Sequence, residues 1–153
     1  MPDLRALIAS CRREGKTVVF ANGCFDLIHV GHVRYLESAR SQGDILVVAI
    51  NSDASVNRLK GEGRPLQTET ERAEILGSFD CVDYTVIFDA LTVDGLLSEL
   101  RPDIQVKGTD YRCESVPERD TVRAYGGKVA IAGDPKNHSS RDVIESILSK
   151  CRG

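Results

Sequence analysis

The sequence has 153 residues, of which 41% are hydrophobic and 28% are charged, proportions typical of an ordinary globular protein of one domain. Its net charge of −3 excludes a broad basic surface for nucleic acid or for an anionic membrane, so any anion site must be local. No apolar run approaches the length of a membrane span, and residues 1–15 lack the apolar core of a signal peptide, so we expect a cytoplasmic protein.

The first half of the chain alternates helical and strand patterns. Residues 2–14 form an amphipathic helical pattern, residues 17–21 an apolar strand, and a second helical pattern runs to Gln42, before Gly43. A nearly continuous apolar run over residues 44–50 predicts a strand that is covered on both faces. Capping residues then open a short helix to Leu59, and Thr68 to Glu71 have the capping-box spacing of another helix.

The second half continues the same alternation. We predict strands at 82–88, 104–107 and 128–132, and helices at 92–100, 118–125 and from Ser139 or Ser140 to Leu148. Residues 1–153 are therefore predicted to be one Rossmann-like α/β domain, with an N-terminal helix within 1–15 and a core over 17–148. Its five-stranded parallel sheet should have helices on both faces and gather its site where the strand order reverses.

The segment Asn22–His32, with the sequence NGCFDLIHVGH, joins the first strand to the helix that follows. Free N–H groups and the positive end of the helix dipole favour an anion there. His29 and His32 share one face of the first helical turn, and Gly31 between them leaves the backbone open to a phosphate. The segment predicts phosphate binding with two imidazole donors, although helix capping, surface exposure or half of a metal site are the alternatives.

Metal binding is the weakest of these alternatives. The chain has three histidines and five cysteines, and no two cysteines have the C-x-x-C spacing of a zinc or redox site. We therefore predict reduced thiols and no metal bound by the protein's own side chains.

Further candidates lie after the other strands. Lys60, with Arg58 and Arg64 nearby, is either a solvated lysine or a point charge that reaches phosphates. Arg72 occupies the start of a helix, where the dipole disfavours a cation, so it is either tolerated there or binds an anion.

Two later segments complete the set. Gly108 follows Lys107 at the end of a strand and permits close approach of a ligand, while Asp110 either binds a base or ribose or caps a turn. Ser139 and Ser140 open the last helix, which they cap or through which they hold phosphate oxygens. These parts suit nucleotidyl transfer, because an attacking phosphate is already anionic near neutral pH and needs alignment and cations more than a strong base.

Together these motifs resemble the HxGH nucleotidyltransferase superfamily, and most closely the bacterial D-glycero-D-manno-heptose 1-phosphate adenylyltransferases. The motifs that carry the resemblance stand in family order over roughly residues 17–148: NGCFDLIHVGH, NSDASVNRLKG, RP, ER and VKGTDY. The resemblance implies transfer of AMP from ATP to the heptose 1-phosphate, which yields pyrophosphate and an ADP-heptose for lipopolysaccharide or another surface glycan.

The resemblance also assigns roles to residues. It implies catalytic roles for His29, His32 and Lys60, and sugar-phosphate or triphosphate binding by Asp26, Arg64 and Arg72. It places the nucleotide against Asn22, Gly23, Cys24, Phe25, Gly31, Lys107, Gly108, Asp110, Ser139 and Ser140. Mg²⁺ would bridge the β- and γ-phosphates and be held mainly by the nucleotide. The implied partners are a separate heptose kinase upstream and a second copy in a homodimer, with no nucleic acid and no membrane.

One motif departs from the family pattern. Relatives usually carry serine–threonine–threonine before the last helix, where this chain has Ser139-Ser140-Arg141. Two other functions stay open: a cytidylyltransferase for glycerol 3-phosphate or a similar alcohol phosphate, and a non-catalytic nucleotide-binding domain. The Lys60–Pro65 and Lys107–Tyr111 segments favour the heptose enzyme over the first, and the intact histidines and Lys60 favour catalysis over the second.

Overall fold

The computed structural model describes residues 2–152; Met1 and Gly153, the ends of the predicted domain, lie outside the described residues. The helices are α1 Pro2–Arg13, α2 Val30–Arg40, α3 Asp53–Lys60, α4 Glu69–Gly77, α5 Asp94–Leu100, α6 Arg119–Ala124 and α7 Ser140–Lys150. The strands are β1 Val18–Gly23, β2 Ile45–Asn51, β3 Tyr84–Phe88, β4 Ile104–Lys107 and β5 Lys128–Ile131. None of the helices within residues 2–152 is long and apolar enough to cross a membrane.

The five strands form one parallel sheet in the order β3-β2-β1-β4-β5. Apolar side chains alternate between its faces and form two cores, one with Leu36 of α2 and Leu76 of α4 and the other with Ile8 of α1, Leu97 of α5 and Val122 of α6. Because helices cover both faces, the central strands are buried almost throughout. This confirms the predicted fold class.

The strand order reverses between β1 and β4, which pair in parallel with Ala21 opposite Val106. The turn after β1 and the segment after β4 therefore leave the same edge of the sheet side by side. Crossover helices diverge to opposite faces at such a point and leave a crevice between the two connections. This geometry positions the site.

Capping was predicted well, and some element ends were not. Ser52 caps α3, and Thr68 and Glu71 form the reciprocal capping box of α4. The predicted strand start at Val82 is wrong, because the Asp83 carboxylate accepts the N–H of Leu46 at 2.8 Å and the ladder with β2 begins only after it. A single 3-10 turn at Cys113–Ser115 was not predicted.

Candidate active site

A cavity of about 1030 Å³ opens at the carboxyl ends of the strands, large enough for a nucleotide and a second substrate. Its wall comes from the turn after β1, the start of α2, the end of α3, Arg64, and the segments 107–111 and 132–142. Every residue that the sequence assigns to the site lines this cavity except Arg72. Segments that are distant in the chain, from the turn after β1 to the start of α7, are thus brought together.

His29 and His32 cap the start of α2 reciprocally. His29 Nδ1 accepts the N–H of Gly31 at 3.1 Å, and His32 Nδ1 accepts the N–H of His29 at 3.2 Å. Their ring centroids lie 3.8 Å apart. Because each Nδ1 is an acceptor, the hydrogen of each neutral ring resides on Nε2. The pair therefore has two Nε2–H donors available at the positive end of the helix.

Both imidazoles are neutral near pH 7. Burial, then the neighbouring His29 and Lys60, lower the pKa of His32 to about 4. Burial, then His138, lower the pKa of His29 below its usual 6.5. The two rings thus serve as hydrogen-bond donors without carrying a charge of their own before a ligand arrives.

Gly31 is required by the packing of the histidines as well as by access to the backbone. A Cβ at this position would lie 2.8 Å from Cε1 of His29 and 3.4 Å from Cβ of His138. The buried ring of Phe25 also supports the pair, with its centroid 5.4 Å from that of His32 in an edge-to-face arrangement.

Asp26 is almost fully buried and holds Arg64. Its carboxylate accepts the Nε–H of Arg64 at 2.6 Å and the N–H groups of Leu66 and Gln67 at 2.9 and 3.1 Å. Burial raises the pKa of Asp26, but these donors outweigh it and the net pKa is lowered. Asp26 therefore positions Arg64, whose buried Nη2 has no protein acceptor within residues 2–152 and suits an anionic oxygen.

Arg72 lies beneath the cavity and is fully buried. Its Nη1 donates to the carbonyls of Cys24 at 2.6 Å and Asn51 at 2.8 Å, and its Nη2 donates to Asp53 at 2.8 Å. Its Nε donates to the carbonyl of Gln67 at 3.0 Å. The structure thus engages the guanidinium with protein acceptors and does not bring it into the site, in contrast to the predicted ligand contact.

The lysines differ in their surroundings. Lys60 is exposed at the end of α3 and has no ion pair within the described part of the chain. Lys107 is buried, pairs with Glu118 at 3.1 Å and lies 5.7 Å from the ring centroid of Tyr111. Asp110 pairs with Lys136 at 3.2 Å. Of Lys60, Lys107 and Lys136, Lys60 is therefore the one whose charge is free for a phosphate within the described part of the chain.

Known proteins share this architecture. Residues 20–146 match the family model described as Cytidylyltransferase-like. The chain belongs to the cytidylyltransferase-like family. This membership confirms the resemblance drawn from the HVGH segment and the motifs that follow it.

Named relatives of this cytidylyltransferase-like chain are long proteins. The bifunctional protein HldE of Syntrophotalea carbinolica is 53% identical over 148 residues, which are 97% of this chain and 30% of that protein. The bifunctional protein HldE of Citrifermentans bemidjiense is 56% identical over 142 residues, 93% of this chain and 29% of that protein. The chain therefore spans about 30% of the length of the curated relatives it matches.

A solved structure shows the same fold. The lipopolysaccharide core biosynthesis protein from Thermoplasma volcanium GSS1 is 27% identical, with a TM-score of 0.68 over 80% of this chain and 100% of that chain. The likeness thus covers the whole of the solved chain.

Ser139 and Ser140 have structural partners within the site of this family member. Ser139 caps α7 by accepting the N–H of Asp142 at 3.1 Å. Ser140 Oγ donates to the carbonyl of Asp26 at 2.6 Å and so ties α7 to the turn after β1. Both line the cavity, so capping and ligand contact are compatible.

Sequence reasoning missed several side chains of the site, among them Tyr111, Lys136 and His138. Lys136 and His138 precede the two serines assigned to the site, but neither belongs to a recognisable motif. Only the rarity of histidine in the chain, three in all, pointed to His138. Within residues 2–152 no group of three or more His, Cys, Asp or Glu side chains has an arrangement that could hold a metal ion.

Proposed function

We propose that this chain transfers AMP from ATP to D-glycero-D-manno-heptose 1-phosphate and releases pyrophosphate. The observation that carries the proposal is the pair of Nε2–H donors on His29 and His32, which share one cavity with Lys60 and Arg64. Such donors and cations stabilise the charge on a transferring phosphoryl group. No strong base is needed, since the attacking sugar phosphate is an anion with a second pKa of about 6.

The reaction is a single displacement at the α-phosphorus of ATP. A phosphate oxygen of the sugar forms the new P–O bond as the bond to the bridging oxygen of pyrophosphate breaks, and that oxygen leaves with its electron pair. His29 and His32 donate hydrogen bonds to the α-phosphate oxygens as their charge grows. Arg64 Nη2 and Lys60 hold and neutralise the phosphates, so that two anions that repel each other are aligned.

The choice of substrates is supported by the motifs and by relatives. Identities of 46–56% to bifunctional HldE proteins extend over nearly the whole chain. The second candidate is a cytidylyltransferase acting on an alcohol phosphate such as glycerol 3-phosphate, with which the family description is also compatible. The presence of both histidines and Lys60 in one cavity argues against a non-catalytic nucleotide-binding domain.

Mg²⁺ would enter with ATP and would neutralise part of the negative charge on its phosphates. In the cavity, Asp110 is paired with Lys136 and Asp134 with Arg34, so the nucleotide rather than a set of carboxylates would hold the ion. The proposal also includes a heptose kinase that supplies the sugar 1-phosphate, a homodimer and a cytoplasmic location.

The test is release of pyrophosphate with Mg²⁺, screening ATP, CTP and GTP against heptose 1-phosphate and glycerol 3-phosphate. Release only with ATP and the heptose phosphate is the expected result. Release with CTP and glycerol 3-phosphate would keep the mechanism and overturn the substrates. If the protein is folded and binds nucleotide but releases no pyrophosphate with any pair of substrates, a non-catalytic nucleotide-binding function would remain.

A further inference from the structure

His138 precedes the cap of α7 and lies over the start of α2. Its ring centroid is 6.5 Å from that of His29, with the two ring planes 23° apart. Its Cβ would lie 3.4 Å from a Cβ placed on Gly31, which is an ordinary van der Waals contact. His138 is half-buried and lines the cavity, so the three histidines of the chain form one cluster at the converging N-termini of α2 and α7.

The hydrogen-bonding state of His138 is opposite to that of its neighbours. Its Nδ1 lies in hydrogen-bond contact with Oδ1 of Asn137. With the Asn137 amide in this orientation its oxygen accepts, which places the hydrogen on Nδ1 and leaves a lone pair on Nε2 of the neutral ring. A lone pair repels a phosphate oxygen, whereas the protonated ring donates to it from Nε2. As long as the Asn137 oxygen keeps the hydrogen on Nδ1, binding of an anion at Nε2 involves uptake of a proton.

The charged groups around His138 are compatible with protonation of its ring when an anion binds. The titratable and charged groups that share this part of the wall are His29, His32, Asp134, Lys136, Arg141 and Asp142. Lys136 is paired with Asp110, Asp134 with Arg34, and Asp142 accepts the hydroxyl of Ser139 at 2.8 Å. Lys136 and Asp134 are balanced by these partners, and Arg141 and Asp142 carry opposite charges. An arriving phosphate would therefore be the dominant charge and would favour the imidazolium form.

We propose that His138 binds a phosphate group of one of the two substrates as an imidazolium and takes up a proton when that substrate binds. His29 and His32 then act as donors at every pH above their own titration, while His138 adds a charge that depends on pH. The identity of the substrates rests on the proposed function, but the binding itself is testable with ATP or pyrophosphate alone.

The experiment is calorimetric titration of the full chain with ATP and with pyrophosphate from pH 6 to 8, in buffers that differ in ionisation enthalpy. The wild type should bind about tenfold tighter at pH 6 than His138→Ala, and should take up more protons than that variant. His138→Lys should bind tightly at pH 8 as well, because its charge is permanent there. The titration of the phosphates themselves is common to all variants and cancels in the comparison.

A control lies on the same helix. Glu145→Gln removes a charge from an exposed position of α7 outside the cavity and should leave proton uptake as in the wild type. If ATP and pyrophosphate bind alike in the wild type and His138→Ala, the same pH pattern in the KM for the sugar phosphate would assign His138 to that substrate. No difference between wild type and variant in any of these measurements would overturn the inference.

The two proposals fail separately. Proton-linked binding that depends on His138, without pyrophosphate release by the wild type, would overturn only the proposed reaction. Pyrophosphate release with identical pH profiles in wild type and His138→Ala would overturn only the role of His138.

Discussion

At the scale of single residues, the two ring nitrogens of each histidine in the HVGH turn have different roles, one structural and one chemical. Nδ1 satisfies a backbone N–H at the start of α2, and Nε2–H remains for a ligand. An alanine at either position removes both roles at once. Asparagine is among the best helix-capping residues and can replace the cap without replacing the Nε2–H donor.

We therefore predict that His29→Asn lowers kcat by about 10²-fold or more, as expected for loss of one donor to the transition state, with little change in thermal midpoint. His29→Ala should lower kcat equally and also lose about 1 kcal/mol of stability with the cap. Pyrophosphate release and thermal unfolding measure the two effects. Turnover near that of the wild type in His29→Asn would remove this histidine from the mechanism.

His32 makes the fold sensitive to acid. Its folded pKa of about 4 lies below the ordinary 6.5, so its contribution to stability is fully present above pH 6.5 and is lost as the pH falls toward 4. The full shift corresponds to at most about 3 kcal/mol, and His29 changes stability in the same direction. Urea unfolding at pH 8, 6 and 5 should show this loss, and His32→Asn should weaken it. If the free energy of unfolding fell equally with pH in the wild type and in His32→Asn, the acid sensitivity could not be assigned to His32.

At the scale of elements, Arg72 joins the turn after β1, the end of β2, the start of α3 and the helix α4 that carries it. We predict that Arg72→Met lowers the free energy of unfolding by about 3–5 kcal/mol, since buried carbonyls and Asp53 lose their donor. Urea unfolding measures this. Unchanged stability combined with a raised KM for the sugar phosphate would instead support the ligand contact that the sequence predicts.

Arg72 also shows where sequence reasoning stops. The sheet and the meeting of the loops could be predicted from the sequence. Strand and helix patterns and the caps at Ser52 and Thr68 depend on nearby residues, and the reversal of strand order follows a general rule of parallel sheets. The position of Arg72 in the sequence could not show that its guanidinium already donates to carbonyls of two distant segments. Nor could the sequence show that Asp26 accepts a hydrogen bond from Arg64 and does not face a substrate. Those facts depend on how the loops pack together.

At the scale of the whole molecule, the cavity is built from segments between Asn22 and Asp142, so a ligand that fills it stabilises nearly the entire fold. Binding to the native state alone adds about 2.7 kcal/mol when ATP exceeds its Kd a hundredfold. The rise in thermal midpoint with ATP therefore reports how well the whole site is assembled. It also separates residues that bind the nucleotide from residues that hold the fold.

Lys60 and Arg58 offer a matched pair for this measurement. Both lie in the last turn of α3, but Lys60 lines the cavity, whereas Arg58 is paired with Asp89 at 2.6 Å outside it. We predict that Lys60→Ala weakens ATP binding about tenfold and so removes about 1.4 kcal/mol of the stabilisation by ATP. The thermal midpoint in the absence of ATP should change little. Arg58→Ala should keep the full stabilisation by ATP. A lowered midpoint of Lys60→Ala in the absence of ATP would instead mean that Lys60 mainly neutralises the negative end of α3.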